Sequence, residues 1–319
     1  MRFELIKCHG SGNDFPLIDA RALSLADADW ARVARALADR AGPVGGDGLL
    51  LLTAGDEDGR AFGMRMFNSD GSESETCLNG LRCVARAGFA ATGLAHATAR
   101  LKTSEAVVAR DRDIAPGVFT VRETAGPASL DVAAWPMHVD AGQIVETPLA
   151  GLPSTRAFTA VAMPNPHLVA FVESVDEAEL VRVGEACEAA PDWLPNRANV
   201  SFVEVRGVDL FVRTHERGVG LTDSCGSAMA ASTYAACLTG RIAYDTPTTV
   251  FNKGGLVRAE AGADGMVTLS GNATVEWSGS VTVDLESGAP GVESGARDLV
   301  IAQRHDEEIA AWETLRNPM

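Results

Sequence analysis

Residues 63–93, GMRMFNSDGSESETCLNGLRCVARAGFAATG, and residues 210–240, LFVRTHERGVGLTDSCGSAMAASTYAACLTG, follow one plan. Each runs from an apolar, strand-like stretch through a polar turn with glycine to a cysteine, then into a small-residue stretch that ends at glycine. Arg65 and Arg213 stand twelve positions before Cys77 and Cys225, respectively. After the cysteines, Leu81, Val84, Ala85 and Phe89, and Met229, Thr233, Ala236 and Cys237, recur at helical spacing, with Gly93 and Gly240 as stops. Helices so poor in surface charge do not face water, so each is expected at the centre of a sheet-built domain. A divergent internal duplication is the simplest account.

The position of the two cysteines has chemical meaning. A helix start exposes unpaired N–H groups and the positive end of the dipole, which stabilise a thiolate and can also hold a carboxylate. Each cysteine is therefore expected to ionise near neutral pH. Two thiols drawn from separate halves of a chain can remove a proton from one face of a carbon and return one to the other. Against this stands the ordinary fate of a cytosolic cysteine, an inert place in the core; the matched contexts favour the chemical reading.

The 319 residues, 46% of them hydrophobic, suffice for two domains with real cores, and no apolar run approaches the roughly 20 residues of a membrane span. The opening MRFELIKCHGSGNDF has no signal-like apolar stretch, so a cytoplasmic location is expected. Six cysteines without a CxxC argue against a disulfide scaffold or a structural zinc site. His9, His96, His138, His215 and His305 show no metal-ligand spacing. A net charge of −16 disfavours nucleic acid and anionic membranes as partners and is compatible with a small zwitterionic ligand.

Along the chain, residues 3–20 read as strand, glycine turn and strand, followed by a helix over about 25–41. Strands follow at 45–55 and 63–68, and short ones in LKTSEAVVARD, GVFTVRE and SLDVAAWP. The second half repeats the mix: strands in AFTAVAMPNPHLVAFVE, a helix near 176–188, strands in ANVSFVEVRGVDLFVRTHE and late strands in GMVTLSGNATVEWSGSVTVDLE. The expected class is α/β, β-rich. The expected division is an N-terminal half, 1–130, completed by a late strand near 271–285; a C-terminal half, 131–270; and a tail, 286–319, read as a linker and a peripheral helix that is a candidate homodimer contact, with a solvated, partly disordered tail as the alternative.

Six segments then carry a family resemblance: GSGNDF at 10–15, GGDGLLLL at 45–52, FNSDGSESETCLNGLRC at 67–83, NPH at 165–167, PNRANVSF at 195–202 and ERGVGLTDSCGS at 216–227. Together, and in this order, they resemble diaminopimelate epimerase from about residue 3 to about 285. The resemblance implies two pseudo-symmetric α/β domains, each a sheet wrapped around a central helix, with the active site in the cleft between them. It implies cofactor-independent interconversion of LL- and meso-diaminopimelate, a step toward lysine and peptidoglycan. By position, Cys77 and Cys225 match the catalytic acid/base pair, with His167 and Glu216 beside them. Asn13, Asn68, Asn165, Asn199 and Arg217 match ligand-binding side chains. Leu78, Asn79, Gly226 and Ser227 stand at the helix starts that hold the reacting α-carboxylate. No metal or other cofactor is implied.

Each of these residues also has a plainer role open to it. Asparagines in turns commonly serve the backbone, Arg217 can pair with Glu216, and a histidine such as His167 can be a satisfied packing residue. The chain also departs from the family pattern. Leu78 stands where glycine normally follows the first cysteine, keeping the N–H but adding bulk, and Leu221 replaces an acid of the second motif. These changes leave two alternatives: a cofactor-independent racemase or epimerase of the same fold acting on another amino acid, or a non-catalytic amino-acid-binding homologue.

Overall fold

The computed structural model describes residues 1–135, 137–285 and 295–316. In chain order the first elements are β1 (Arg2–Gly10), β2 (Asn13–Asp19), α1 (Asp27–Ala38), β3 (Gly48–Ala54), β4 (Phe62–Asn68), β5 (Glu73–Ser74), α2 (Leu78–Thr92), β6 (His96–Arg100), β7 (Glu105–Asp111) and β8 (Thr120–Ala125). Next come β9 (Thr147–Pro148), β10 (Ala157–Ala162), β11 (Pro166–Val172), α3 (Glu177–Glu188), β12 (Asn199–Arg206), β13 (Asp209–Glu216), β14 (Gly220–Thr222) and α4 (Gly226–Leu238). The chain closes with β15 (Thr248–Asn252), β16 (Gly255–Ala261), β17 (Val267–Asn272), β18 (Thr274–Val283), β19 (Ala296–Arg304) and α5 (Asp306–Arg316).

Two compact units form. One is Met1–Glu123 together with the described residues from Ser270 onward; the other is Thr124–Leu269. In the first, β1 and β2 are antiparallel, β2 runs parallel to β3, β3 and β4 are antiparallel, β4 runs parallel to β6, and β6 and β7 are antiparallel. In the second, β10 to β13, β15 and β16 repeat this series of pairings in the same sequence. Helices α1 and α3 fill the same crossover between parallel strands, and α2 and α4 fill the next one. The internal duplication and the β-rich α/β class are thus visible strand by strand.

The matched arginines are part of the repeat. Arg65 on β4 bonds Glu73 and reaches Asp27, the first residue of α1. Arg213 on β13 bonds Glu177, the first residue of α3, and the Thr222 carbonyl. Each guanidinium meets an acid at the positive end of a crossover helix, where that charge is also favoured by the dipole.

Each central helix is enclosed by its own sheet. All of Gly226–Cys237 is buried, and alanine, serine and glycine there let strands approach closely on every side. In α2 the buried face includes Leu81, Cys83, Val84, Ala85 and Phe89, and the helix ends at Gly93, which takes the left-handed φ of 74° that glycine supplies cheaply. On the far side of its sheet α1 buries Trp30, Val33, Ala34 and Leu37 against Phe3, Ile18, Leu49 and Val281. The corresponding layer in the other unit gathers Leu180, Val183 and Cys187 of α3 with Phe158, Leu168 and Phe202.

Two expectations change. SLDVAAWP is not a strand: Val132–Ala134 is a single 3₁₀ turn, because the Asp131 carboxylate accepts the Ala133 N–H and starts a turn instead. The tail is more than a linker and a helix, since 296–304 forms β19 and pairs antiparallel with β18. The linker expected over 286–294 lies outside the described residues. No described helix is long and apolar enough to cross a membrane.

Candidate active site

In the first unit Cys77 is the N-cap of α2, and its sulfur accepts the Gly80 N–H at 3.3 Å. Gly80 leaves room there, since a Cβ would lie 2.7 Å from Leu50 Cδ2 and 3.3 Å from the Cys77 sulfur and would push the leucine aside. Across from it, the turn between β1 and β2 delivers Asn13, whose Oδ1 lies 3.8 Å from the same sulfur. Asn13 is in turn oriented by Asp47 of GGDG, which accepts its amide at 2.5 Å. That turn is tight, with Ser11 at φ 51° and Gly12 at φ 81°. Leu78 and Asn79 at the start of α2 are buried.

Two further asparagines named from sequence each have one end of the amide engaged. Asn79 Oδ1 accepts from Arg82 at 2.8 Å. Asn68 bonds Ser72 Oγ at 2.9 Å within its own turn.

In the second unit Cys225 is the N-cap of α4, 3.5 Å from Ser227 Oγ. A chain of polar groups extends from there. Asn165 donates to Ser227 at 3.2 Å, and its Oδ1 lies 3.1 Å from His167 Nε2. Asn199 Nδ2 approaches the same ring nitrogen at 3.4 Å, while its Oδ1 accepts the Arg217 N–H at 2.8 Å. The Arg217 side chain donates to the Asn196 carbonyl at 3.0 Å. Cys225, His167, Asn165, Asn199, Arg217, Glu216, Gly226 and Ser227 therefore share one unit, with a direct network linking most of them.

Electrostatics separates Cys225 from the simple helix-start expectation. Burial pushes the Cys225 thiol well above its ordinary range, the charge of Glu216 and a hydrogen bond to it add to the rise, and Ser227 only partly opposes this. Cys225 is thus a protonated thiol at neutral pH, not a thiolate. Burial takes His167 down to about 3, helped by the positive charge of Arg217, so its ring is neutral and sealed, with Nδ1 unpartnered among the described residues.

Sequence reasoning missed the support beneath Cys77. Arg82, entirely buried on α2, bonds Glu123, Asn79, Ser11 and the Asn272 carbonyl. Asn272 accepts the Ser11 N–H at 2.7 Å and donates to His9 Nδ1 at 3.1 Å. The available signal was two arginines, Arg82 and Arg86, one turn apart in a helix otherwise rich in small and apolar residues. Among the described residues no group of three or more His, Cys, Asp or Glu is arranged to hold a metal ion.

This geometry agrees with what the chain is similar to. A profile described as diaminopimelate epimerase matches residues 5–111 and 159–276. The diaminopimelate epimerase of Clostridium acetobutylicum is 36% identical over 294 residues, 89% of this chain and 87% of that protein. That of Enterococcus faecalis is 37% identical over 302 residues, 91% and 92% of the two chains. Among solved structures, a phenazine biosynthesis protein of the PhzF family from Bacillus anthracis superposes with a TM-score of 0.62 at 14% identity, over 88% of this chain and 99% of its own. A probable proline racemase from Agrobacterium radiobacter gives 0.60 at 13% identity, over 99% and 100%. Those two share the fold alone. With matching sequence across both repeats and a cysteine at the N-cap position of the central helix of each, the chain belongs to the diaminopimelate epimerase family.

Proposed function

We propose that this isomerase interconverts LL- and meso-2,6-diaminopimelate with Cys77 and Cys225 as its acid/base pair. The observation that carries the pairing is their equivalent place: each stands at the N-cap position of the central helix of one repeat. An amino-acid α-hydrogen is a very weak acid, and without an electron sink the carbanion must be stabilised by N–H donors aimed at the carboxylate in a water-poor site. The starts of α2 and α4, at Leu78 and Asn79 and at Gly226 and Ser227, supply such donors. Arg217, Asn13, Asn68, Asn165 and Asn199 complete recognition of the zwitterion.

One sulfur, as thiolate, takes the α-proton and becomes a thiol; the other, as thiol, donates its proton to the opposite face and becomes a thiolate. Protonation states are exchanged between the sulfurs, and the reverse reaction restores them. In the direction that uses Cys225 as the acid, Cys77, whose sulfur accepts the Gly80 N–H, is the base. Glu216 orients the Cys225 proton, and neutral His167 positions Asn165 and Asn199. The meso product feeds lysine and peptidoglycan synthesis, and for that reason we infer a cytoplasmic location. We further infer a homodimer, for which exposed Val300 and Ile301 on β19 offer apolar surface; light scattering of the purified chain tests it.

The reaction is tested by NMR of LL-diaminopimelate with reduced protein in D₂O. Deuterium at the α-carbon with formation of the meso isomer supports the reading. A folded, reduced protein that exchanges no α-proton of diaminopimelate overturns it, and directs attention to another amino acid shaped to Leu78.

A further inference from the structure

The residues matched by the family profile end at 276, yet the chain continues into β19 and α5. Helix α5 and the residue before it pack on the unit that carries Cys77 through four contacts. Glu308 receives both guanidinium nitrogens of Arg86, on the third turn of α2, at 2.5 and 2.7 Å. The Glu308 carboxylate also accepts the Val275 N–H on β18, and the His305 N–H donates to the Glu276 carbonyl. Trp312, the one buried side chain of α5, lies with its ring 5.6 Å from that of His9.

His9 is the residue that matters. It is the penultimate residue of β1, and its Nδ1 accepts from Asn272 Nδ2 at 3.1 Å and from the Gly12 N–H at 3.4 Å. With Nδ1 an acceptor, the ring is the neutral Nε2–H tautomer. Asn272, held by His9, accepts the Ser11 N–H. The turn at 10–13 is therefore built on His9 and Asn272, and it is this turn that sets Asn13 beside the Cys77 sulfur. Trp312 closes the outer side of His9, and Arg86–Glu308 ties the same tail helix to α2, whose first residue follows Cys77.

We propose that α5 is a positioning element for the Cys77 half-site: Trp312 braces His9, and through it the turn that carries Asn13, while Glu308 fixes α2 relative to that turn. The proposal rests on Cys77 being a reacting group. A tail that merely adds stability would leave the turn and the sulfur unchanged under native conditions; a brace would not. Displacing a reactive group by about an ångström is enough to cost up to roughly a hundredfold in rate.

The test compares Trp312→Ala, Trp312→Phe and the intact chain by amide hydrogen exchange, by alkylation of Cys77 with iodoacetamide, and by epimerisation kinetics. For Trp312→Ala, faster exchange at Ser11 and Gly12, an altered alkylation rate and about a tenfold loss of kcat/KM are expected, with Trp312→Phe restoring all three. Unchanged exchange and unchanged alkylation in a folded Trp312→Ala overturn the proposal. If that variant does not fold, Glu308→Gln takes its place in the same assays: faster exchange with altered alkylation supports the brace, and no change in either overturns it. Should the intact chain prove inactive on diaminopimelate, exchange and alkylation still decide the brace, so failure of the activity and failure of the brace are told apart.

Discussion

Arg82 and Glu123 form an ion pair at 2.7 Å in which neither side chain is exposed to any degree. Burial raises the Glu123 carboxyl to about 7 even with the guanidinium attached, and one oxygen, Oε2, has no hydrogen-bond partner among the described residues. Arg82 spends its remaining donors on Asn79, Ser11 and Asn272, so the pair is the base on which the Cys77 half-site stands. Removing one partner strands the other in the core. Arg82→Ala is expected to destabilise the protein by about 3–5 kcal/mol, read from the urea midpoint; a change below about 1 kcal/mol would contradict this account of the pair.

Cys77→Ala and Cys225→Ala are each expected to remove epimerisation, by at least the 10²–10⁴-fold typical of losing a general acid or base, while near-ultraviolet circular dichroism stays native. Near-normal turnover by either variant would sink the two-sulfur scheme.

Glu216→Gln is expected to make Cys225 more reactive toward iodoacetamide at pH 8. Burial, the larger cause, persists, but the negative charge and the carboxylate hydrogen bond that favour the thiol are gone, so the thiolate fraction rises. Epimerisation should fall in the same variant, since the proton of Cys225 loses its orienting partner. Equal alkylation rates would remove Glu216 from the electrostatics of that sulfur.

Acid should weaken the fold through two buried histidines. His9 is lowered to about 4, by burial first, and His167 to about 3. Between these values and the unfolded value near 6.5 the unfolded chain binds a proton that the folded chain refuses. Stability therefore falls with pH across that window by about 1.4 kcal/mol per unit for each histidine. Glu123 works in the opposite sense between about 4.5 and 7, because its raised carboxyl holds a proton in the folded state. Comparing the intact chain with His167→Asn isolates one histidine, and the slope of stability against pH from 6 to 4 should be shallower in the variant.

Much of this was readable in the chain. The repeated order of apolar run, turn, cysteine and small-residue helix marked both central helices, because a helix enclosed on all sides leaves little room for charge. Gly93 marked its stop for the same local reason. What escaped were groups whose partners are far away in sequence. Arg82 meets Asn272 and His9 meets Asn272 across about 190 and 263 positions, and no local pattern encodes such a meeting. Asp131 shows the smaller failure: the alternation in SLDVAAWP suggested a strand, but an aspartate able to cap a turn outweighed it. Helix-start position suggested an ionised Cys225, and only the packed structure shows the burial and the acid that keep it protonated.

The pairing of β1 with β18, which sets Arg2 opposite Thr282, has a consequence for synthesis on the ribosome. The unit Thr124–Leu269 is continuous and has all of its chain soon after residue 269 leaves the exit tunnel. The unit that carries Cys77 begins first and finishes last, since its opening strand waits for residues some 280 positions later. Until then its partly built sheet has a bare edge exposed to other nascent chains, so slowed translation while β18 is being made and released should endanger the Cys77 half far more than the Cys225 half.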